Sequence, residues 1–176
     1  MLGFRFVSVA GLIGVAAIGG LSACATAPKA GPGAPAALET IAVSVGPCFG
    51  FCPVYKLGIT PDGTVAFDGE RHTAVLGQRT RPAGRAAYDW TAAGLAPYRP
   101  VTGATAETTC ETRISDLQQY HLTWTAADGT VTTLNHDRGC RSPRNEALNE
   151  LLQALPTQLG VEPWARQTTR PGVSRG

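Results

Sequence analysis

Cys48-Phe49-Gly50-Phe51-Cys52-Pro53-Val54-Tyr55 is the stretch on which the reading of this sequence turns. Only three residues separate the two thiols, so the chain must reverse tightly, and Gly50 supplies a residue free to take φ > 0 inside the turn. Pro53 then fixes φ where the next segment begins, a position at which a strand tolerates proline. The octapeptide therefore reads as a rigid loop joining two strands. On its N-terminal side, from Leu38, Ile41, Val43 and Val45 alternate with Thr40, Ala42 and Ser44. On its C-terminal side Tyr55, Leu57 and Ile59 alternate with Lys56, Gly58 and Thr60. Period-2 alternation of this kind belongs to strands with one buried face.

Further outward, Pro61-Asp62-Gly63 has the chemistry of a type I turn with a glycine bulge, and Thr64 to Phe67 completes a hairpin. Residues 69–84 carry weak periodicity and predict an edge strand or loop. A second hairpin is expected where Tyr120, Leu122 and Trp124 alternate with His121, Thr123 and Thr125, turn at Ala127-Asp128-Gly129 and return through Thr130 to Asn135. Pairing Thr125 with Thr130 leaves Val131 and Leu134 out of phase, which predicts a bulge or an edge position. Val101 to Glu111, rich in Thr, Ala and Gly, reads as a loop carrying Cys110.

Two helices complete the pattern. Tyr88, Thr91, Ala92 and Leu95 fall at helical spacing between Arg85 and Ala96, closed by Pro97, with Trp90 off the stripe as a second core contact. Ser142-Pro143 supplies a cap and a first-turn proline, Leu148, Leu151, Leu152 and Leu155 follow at i, i+3, i+4 and i+7, and Pro156 is expected to end the helix. Trp164 is placed to pin the end of the chain on the core. The expected fold is α+β: a mainly antiparallel sheet of about five strands with both helices on one face, as one domain over 38–164. Residues 165–176 read as a polar, disordered tail. The two hairpins share an Asp-Gly-Thr turn and each precedes a helix, a hint of duplication.

The first 37 residues belong to a different regime. Met1 to Arg5 is a short basic n-region and Phe6 to Leu21 an apolar h-region too short and Gly-rich for a spanning helix. Leu21-Ser22-Ala23-Cys24 resembles the lipobox of bacterial lipoproteins, which implies a signal peptide over 1–23 and diacylglyceryl attachment at Cys24. Several palmitate-type acyl chains, each CH₂ worth ~0.8 kcal/mol when buried, make such anchoring effectively permanent. Ala25, rather than Asp, after that cysteine implies the outer membrane, with the domain in the periplasm. Residues 24–37, with prolines at 28, 32 and 35, form a tether able to hold the domain up to about 40 Å from the bilayer. Removing residues 1–23 takes Arg5 from the 15 basic side chains and none of the 13 acids, leaving a net charge of +1. No basic stripe interleaved with aromatics is present, so nucleic acid is excluded as a partner. The membrane, through the N-terminal lipid, and an envelope protein are the partners implied.

With these residues in hand, the domain resembles a bacterial family catalogued as domain of unknown function 6438. The resemblance rests on the C-F-G-x-C-P-x-Y run at Cys48 to Tyr55, the D-G turn at Asp62-Gly63, Ser115-Asp116-Leu117 where a Thr-Asp pair is usual, and Trp164 after the last helix. It covers about Leu38 to Trp164 and implies no substrate, cofactor or catalytic residue.

Four cysteines remain once Cys24 is lipidated, and in an oxidising periplasm they allow three pairings. Cys48 with Cys52 and Cys110 with Cys140 is favoured, because the second pair flanks the second hairpin at one end of its ladder. A redox-active Cys48–Cys52 pair, as in a periplasmic thiol-disulfide protein, is the alternative. Such a site ordinarily needs two intervening residues and a helix N-terminus, whereas here there are three and a strand follows. Metal binding by these thiols with His72, His121 or His136 lacks ligand spacing, although His121 and His136 are expected near each other on the hairpin's outer face. Glu111 and Asp116 read as a solvated side chain and a turn cap, and no serine motif is present, so no enzyme and no cofactor are expected. Within the five-residue cysteine loop there is little room to turn both Phe49 and Phe51 inward, so one is expected to be exposed as a candidate binding residue; the alternative is that both fold down as a lid on the core.

Overall fold

A computed structural model describes residues 38–168. The expected signal peptide over 1–23, Cys24, the expected tether over 24–37 and residues 169–176 lie outside the described residues. The elements in chain order are strands β1 (Thr40–Val45), β2 (Val54–Ile59), β3 (Thr64–Arg71) and β4 (Gly77–Pro82), then helix α1 (Arg85–Leu95) and a 3-10 turn (Ala96–Tyr98). There follow β5 (Thr105–Glu107), β6 (Thr112–Arg113), β7 (Gln119–Thr125), β8 (Val131–Asp137), β9 (Cys140–Arg141), helix α2 (Pro143–Gln158) and the short helix α3 (Glu162–Ala165). Among these no helix is long and apolar enough to cross a membrane.

The architecture is α+β, with a seven-stranded mixed sheet in the order β4-β3-β2-β1-β7-β8-β5 and a small β6-β9 ribbon. The expected five-strand antiparallel sheet is thus corrected at both edges. At one edge β4, read as strand or loop, pairs along all of its length with β3. At the other, Thr105-Ala106-Glu107, read as loop, runs parallel to β8 because α1 carries the chain across the sheet before it returns. Three residues without a large side chain leave no period to read.

Inward-facing Ile41, Val43 and Val45 of β1, Leu57 and Ile59 of β2, Val65 and Phe67 of β3 and Leu122 and Trp124 of β7 meet one layer of helix side chains. That layer is Tyr88 and Leu95 of α1 with Leu148, Leu152 and Leu155 of α2, all in the same core cluster. Each large apolar side chain so buried is worth ~1.5–3 kcal/mol relative to exposure. Leu151 is half-buried against α1, where Gly94 opens the crossing: a Cβ there would stand 2.8 Å from a Leu151 Cδ. Trp90, expected as a core contact, is 36% exposed because its position lies off the Tyr88–Leu95 stripe.

The two hairpin turns are the same device. Thr60 N–H donates to Thr64 O at 3.0 Å and Gly63 N–H to Thr60 O at 2.8 Å; Ala126 N–H donates to Thr130 O and Gly129 N–H to Ala126 O, each at 2.9 Å. Gly63 and Gly129 take φ of 85° and 86°. The shared turn sets the second hairpin's register, which pairs Thr125 with Val131 rather than with Thr130. This one-residue slip from the sequence expectation puts every return-strand side chain on its other face. Leu134 therefore lies opposite Leu122 in the core, no bulge interrupts β8, and β8 is flanked on both sides by strands. It also buries Thr132 and His136. The arrangement around the turns is not a repeat: β1 lies antiparallel beside β2, while β5 lies parallel beside the return strand β8.

Ser142 caps α2 by accepting from Asn145 N–H at 3.2 Å, with Pro143 in the first turn. The helix passes through Pro156 to Gln158 instead of stopping before it. So near the C-terminus, proline removes a single backbone bond, and its ring is buried. Past α3 the chain does not leave the domain at once, contrary to a tail disordered from Ala165. Ala165 is buried, Gln167 bridges to Thr73, and Thr168 N–H donates to His72 O at 3.1 Å.

Candidate functional site

The cysteine loop sits at the end of the sheet where β1 gives way to β2. Cys48 and Cys52 hold their sulfurs at bonding distance with Cα atoms 5.7 Å apart, and Gly50 takes φ 135° between them. Cys110 and Cys140 form the second such pair, 4.9 Å apart at Cα. The loop is tied down from outside: Phe49 N–H donates to Asp116 O at 3.0 Å, and Asp116 takes φ 68° to present that carbonyl. Gln118, 7% exposed, donates through Nε2 to Gly46 O at 3.2 Å and Pro53 O at 2.8 Å, clamping both ends of the loop. Most of the residues that carry the resemblance thus meet in space, while the Asp62-Gly63 turn lies at the far end of the β2–β3 hairpin. Cys48 to Tyr55 lies against Asp116, and Tyr55 stacks at 5.4 Å on Phe67, which in turn packs at 5.9 Å on Trp164.

Held in this frame, Phe49 is 90% exposed and Phe51 41% exposed, the latter edge-on to His72 at 5.4 Å. Val54, two residues beyond Cys52, starts β2, so a strand and not a helix follows the thiols. Glu111 and Asp116 are both exposed.

The histidines are not brought together. His121 faces outward and bonds Asn135 Oδ1 at 2.6 Å, whereas His136, expected beside it, is fully buried opposite Tyr120 because of the corrected register. Asn149 donates to Arg138 O at 3.2 Å, which turns its Oδ1 toward His136 Nε2 at 2.9 Å. Nε2 must therefore carry the proton, and Nδ1 accepts from Thr108 Oγ1 at 2.9 Å. Burial lowers the pKa of this imidazole from its ordinary 6.5, outweighing the Asn149 bond that acts to raise it. No group of three or more His, Cys, Asp or Glu converges among the described residues.

Beside the loop, between the sheet end and the C-terminal half of α2, lies an open cleft of about 190 Å³. Pro53 at the foot of the loop forms part of its wall, with Tyr55, Tyr120 and Val45 from the sheet. Val45 pairs with both tyrosines, so β1 sets them side by side on one face. Tyr55 is 9% and Tyr120 5% exposed, yet neither hydroxyl has a hydrogen-bond partner among the described residues, and neither is sealed from solvent. Burial pushes both phenols up, Tyr55 further because Tyr120 is beside it; Arg138 partly offsets the effect on Tyr120. Both remain protonated donors at neutral pH.

Arg138 enters the cleft half-buried. Its Nη2 donates to Gln153 Oε1 at 3.0 Å and its Nη1 to Gln118 Oε1 at 3.5 Å. Both glutamines are oriented by other bonds, since Gln153 Nε2 donates to Asn149 O at 2.9 Å and Gln118 Nε2 holds the loop. Among the described residues no carboxylate pairs with Arg138. Glu162 and Arg166 stand at the rim. Gln118 is thus shared between loop and cleft. Sequence reasoning singled out neither Gln118, Arg138 nor Tyr120 as a site residue. The available signal was the Asp-Gly turn: its five-residue form, copied from the first hairpin, gives the register that sets His136 opposite Tyr120 and carries β8 on into Arg138 at the same end of the sheet.

Fold and site together define a small α+β module with one face of a mixed sheet covered by helices and a braced loop and cleft at one end. A family model described as Domain of unknown function (DUF6438) matches residues 39–159, and the chain belongs to that family. No curated protein matches the chain.

Proposed function

We propose that the protein is a lipid-anchored lipoprotein of the periplasm, held at the outer membrane through Cys24, that acts by binding another envelope component at its loop end. The reading of the N-terminal residues supports the anchor, and the exposure of Phe49 carries the binding. A phenylalanine 90% exposed sacrifices burial worth ~1.5–3 kcal/mol, and here it stands on a loop closed by two cysteines and fixed by Gln118 and Asp116. An apolar ring held rigidly in solvent loses little conformational entropy when a partner covers it. Phe51, half-exposed beside it, extends the same surface.

The test is capture of crosslinked envelope partners by the intact domain and by Phe49→Ser and Phe51→Ser variants. Loss of the same partner from the Phe49→Ser variant, with its circular dichroism unchanged, is expected. An identical partner set with both variants would place the binding surface elsewhere.

A further inference from the structure

We propose that the cleft beside the cysteine loop is a carboxylate-binding site, in which Arg138 and the hydroxyls of Tyr55 and Tyr120 receive a ligand's terminal carboxylate. The inference rests on the binding-module reading and names the chemistry that this end of the domain would take.

Three observations converge on it. The two tyrosines are more than nine-tenths buried, yet their hydroxyls lack a protein partner and open into the cleft. A buried hydroxyl is ordinarily bonded, so two together without partners describe donors waiting for an acceptor. Arg138 is braced by two glutamine oxygens whose orientations are set elsewhere, and those two bonds leave other N–H groups of the planar fork free of protein acceptors. A guanidinium fixed in advance, with no acid of its own, is suited to the two oxygens of a carboxylate. The charge fits as well: Arg138 and Arg166 against Glu162 leave one positive charge, which a monoanion neutralises and a phosphate dianion would overshoot.

Size narrows the ligand. About 190 Å³ is less than the ~300 Å³ from which pockets for drug-sized molecules begin, and the cleft is open, so it admits the end of a ligand. A peptide C-terminus and a small free carboxylate share this chemistry, and the experiment separates them.

The domain, labelled with ¹⁵N, is titrated with acetyl-Ala-Ala-Ala as the free acid, with the same peptide as its C-terminal amide, with acetate and with inorganic phosphate. The side-chain amides of Gln118 and Gln153 are followed. The free acid is expected to shift both saturably, and the amide to bind about tenfold more weakly or worse, since a bond to a charged group is lost. Tighter binding of the peptide acid than of acetate assigns a chain terminus; equal binding assigns a small carboxylate. Tyr120→Phe removes a hydroxyl that bonds nothing in the protein, so it keeps the fold and is expected to weaken the acid severalfold; Arg138→Met is expected to abolish binding. Equal binding of acid and amide, tighter binding of phosphate, no saturation by any probe, or an unchanged affinity in folded Tyr120→Phe would overturn the proposal. If Phe49 still governs partner capture while the acids fail to bind, the carboxylate site falls and the binding module stands. If the acids bind while both loop variants capture the same partners, the reverse holds.

Discussion

Tyr55 and Tyr120 show how a residue can be buried for packing and still be held for something else. Their rings belong to the core cluster, while their hydroxyls make no bond in the protein. If those hydroxyls served the fold, truncating one would cost about 1 kcal/mol or more. We expect Tyr55→Phe and Tyr120→Phe to change unfolding free energy by no more than about 0.5 kcal/mol in urea titrations; a larger loss would show a structural bond. A thiol made reactive by its surroundings needs a helix N-terminus or a cation to lower its pKa, and β2 follows Cys52. Alkylation and mass spectrometry of the domain held in millimolar glutathione should therefore find Cys48 and Cys52 unmodified. Ready labelling of both would support a thiol-disulfide redox protein instead. From the sequence, the cysteine loop was legible, because five residues closed by two thiols leave few conformations, whereas the sequence leaves open whether Phe49 and Phe51 stand in solvent or fold onto the core. Arg138 was not legible, since its role depends on glutamines brought from residues 118 and 153.

Among the elements, β8 was misread and the reason is physical. Thr132 and His136 are polar, yet both are fully buried, so the strand's inward face is not its apolar face. Their partners come from afar: Thr132 accepts from Gly103 N–H at 2.9 Å and lies near the pair that half-buried Arg99 makes with buried Glu39, and His136 is held by Thr108 and Asn149. No local period can encode that. The first hairpin and β1 were legible because their inward faces are apolar, and the two long helices because their leucines and Tyr88 keep a helical period even though Thr91, Asn145 and Asn149 are buried among them. His136 makes a pH-dependent prediction. Its pKa is lowered on folding, so the unfolded chain binds more protons below about pH 6.5, and stability is full above that pH. Stability should fall as pH drops from about 7 and level off once the buried imidazole itself protonates. His136→Gln, which retains a donor for Asn149, should flatten this dependence; an unchanged slope in thermal melts would refute the assignment. At the first turn, a Cβ on Gly63 would stand 2.2 Å from the backbone of Gly84 in addition to requiring φ 85°. Gly63→Ala should cost about 2 kcal/mol or more, whereas Gly129→Ala, with the same φ and open space, should cost about 1 kcal/mol.

At the scale of the molecule, one end of the sheet carries the cysteine loop, the cleft and the aromatic ladder from Tyr55 to Trp164, so whatever the module binds is expected there. The Cys110–Cys140 clip spans 30 residues and ties the segment that leaves β8 back to the chain ahead of β6, where it should contribute about 3–4 kcal/mol by restricting the unfolded chain. Anchoring is a separate matter from recognition: Cys24→Ser should release the protein from outer-membrane vesicles, and continued partition with them would show that lipid at Cys24 is not what holds it. The central claim, that the loop end meets another envelope component, is tested most directly by a photo-crosslinking residue at position 49 in living cells. Position 101, which is 82% exposed, serves as control. Discrete adducts are expected from position 49, competed by overexpressed unlabelled domain, and none from position 101. The same faint, uncompeted adducts from both positions would contradict it.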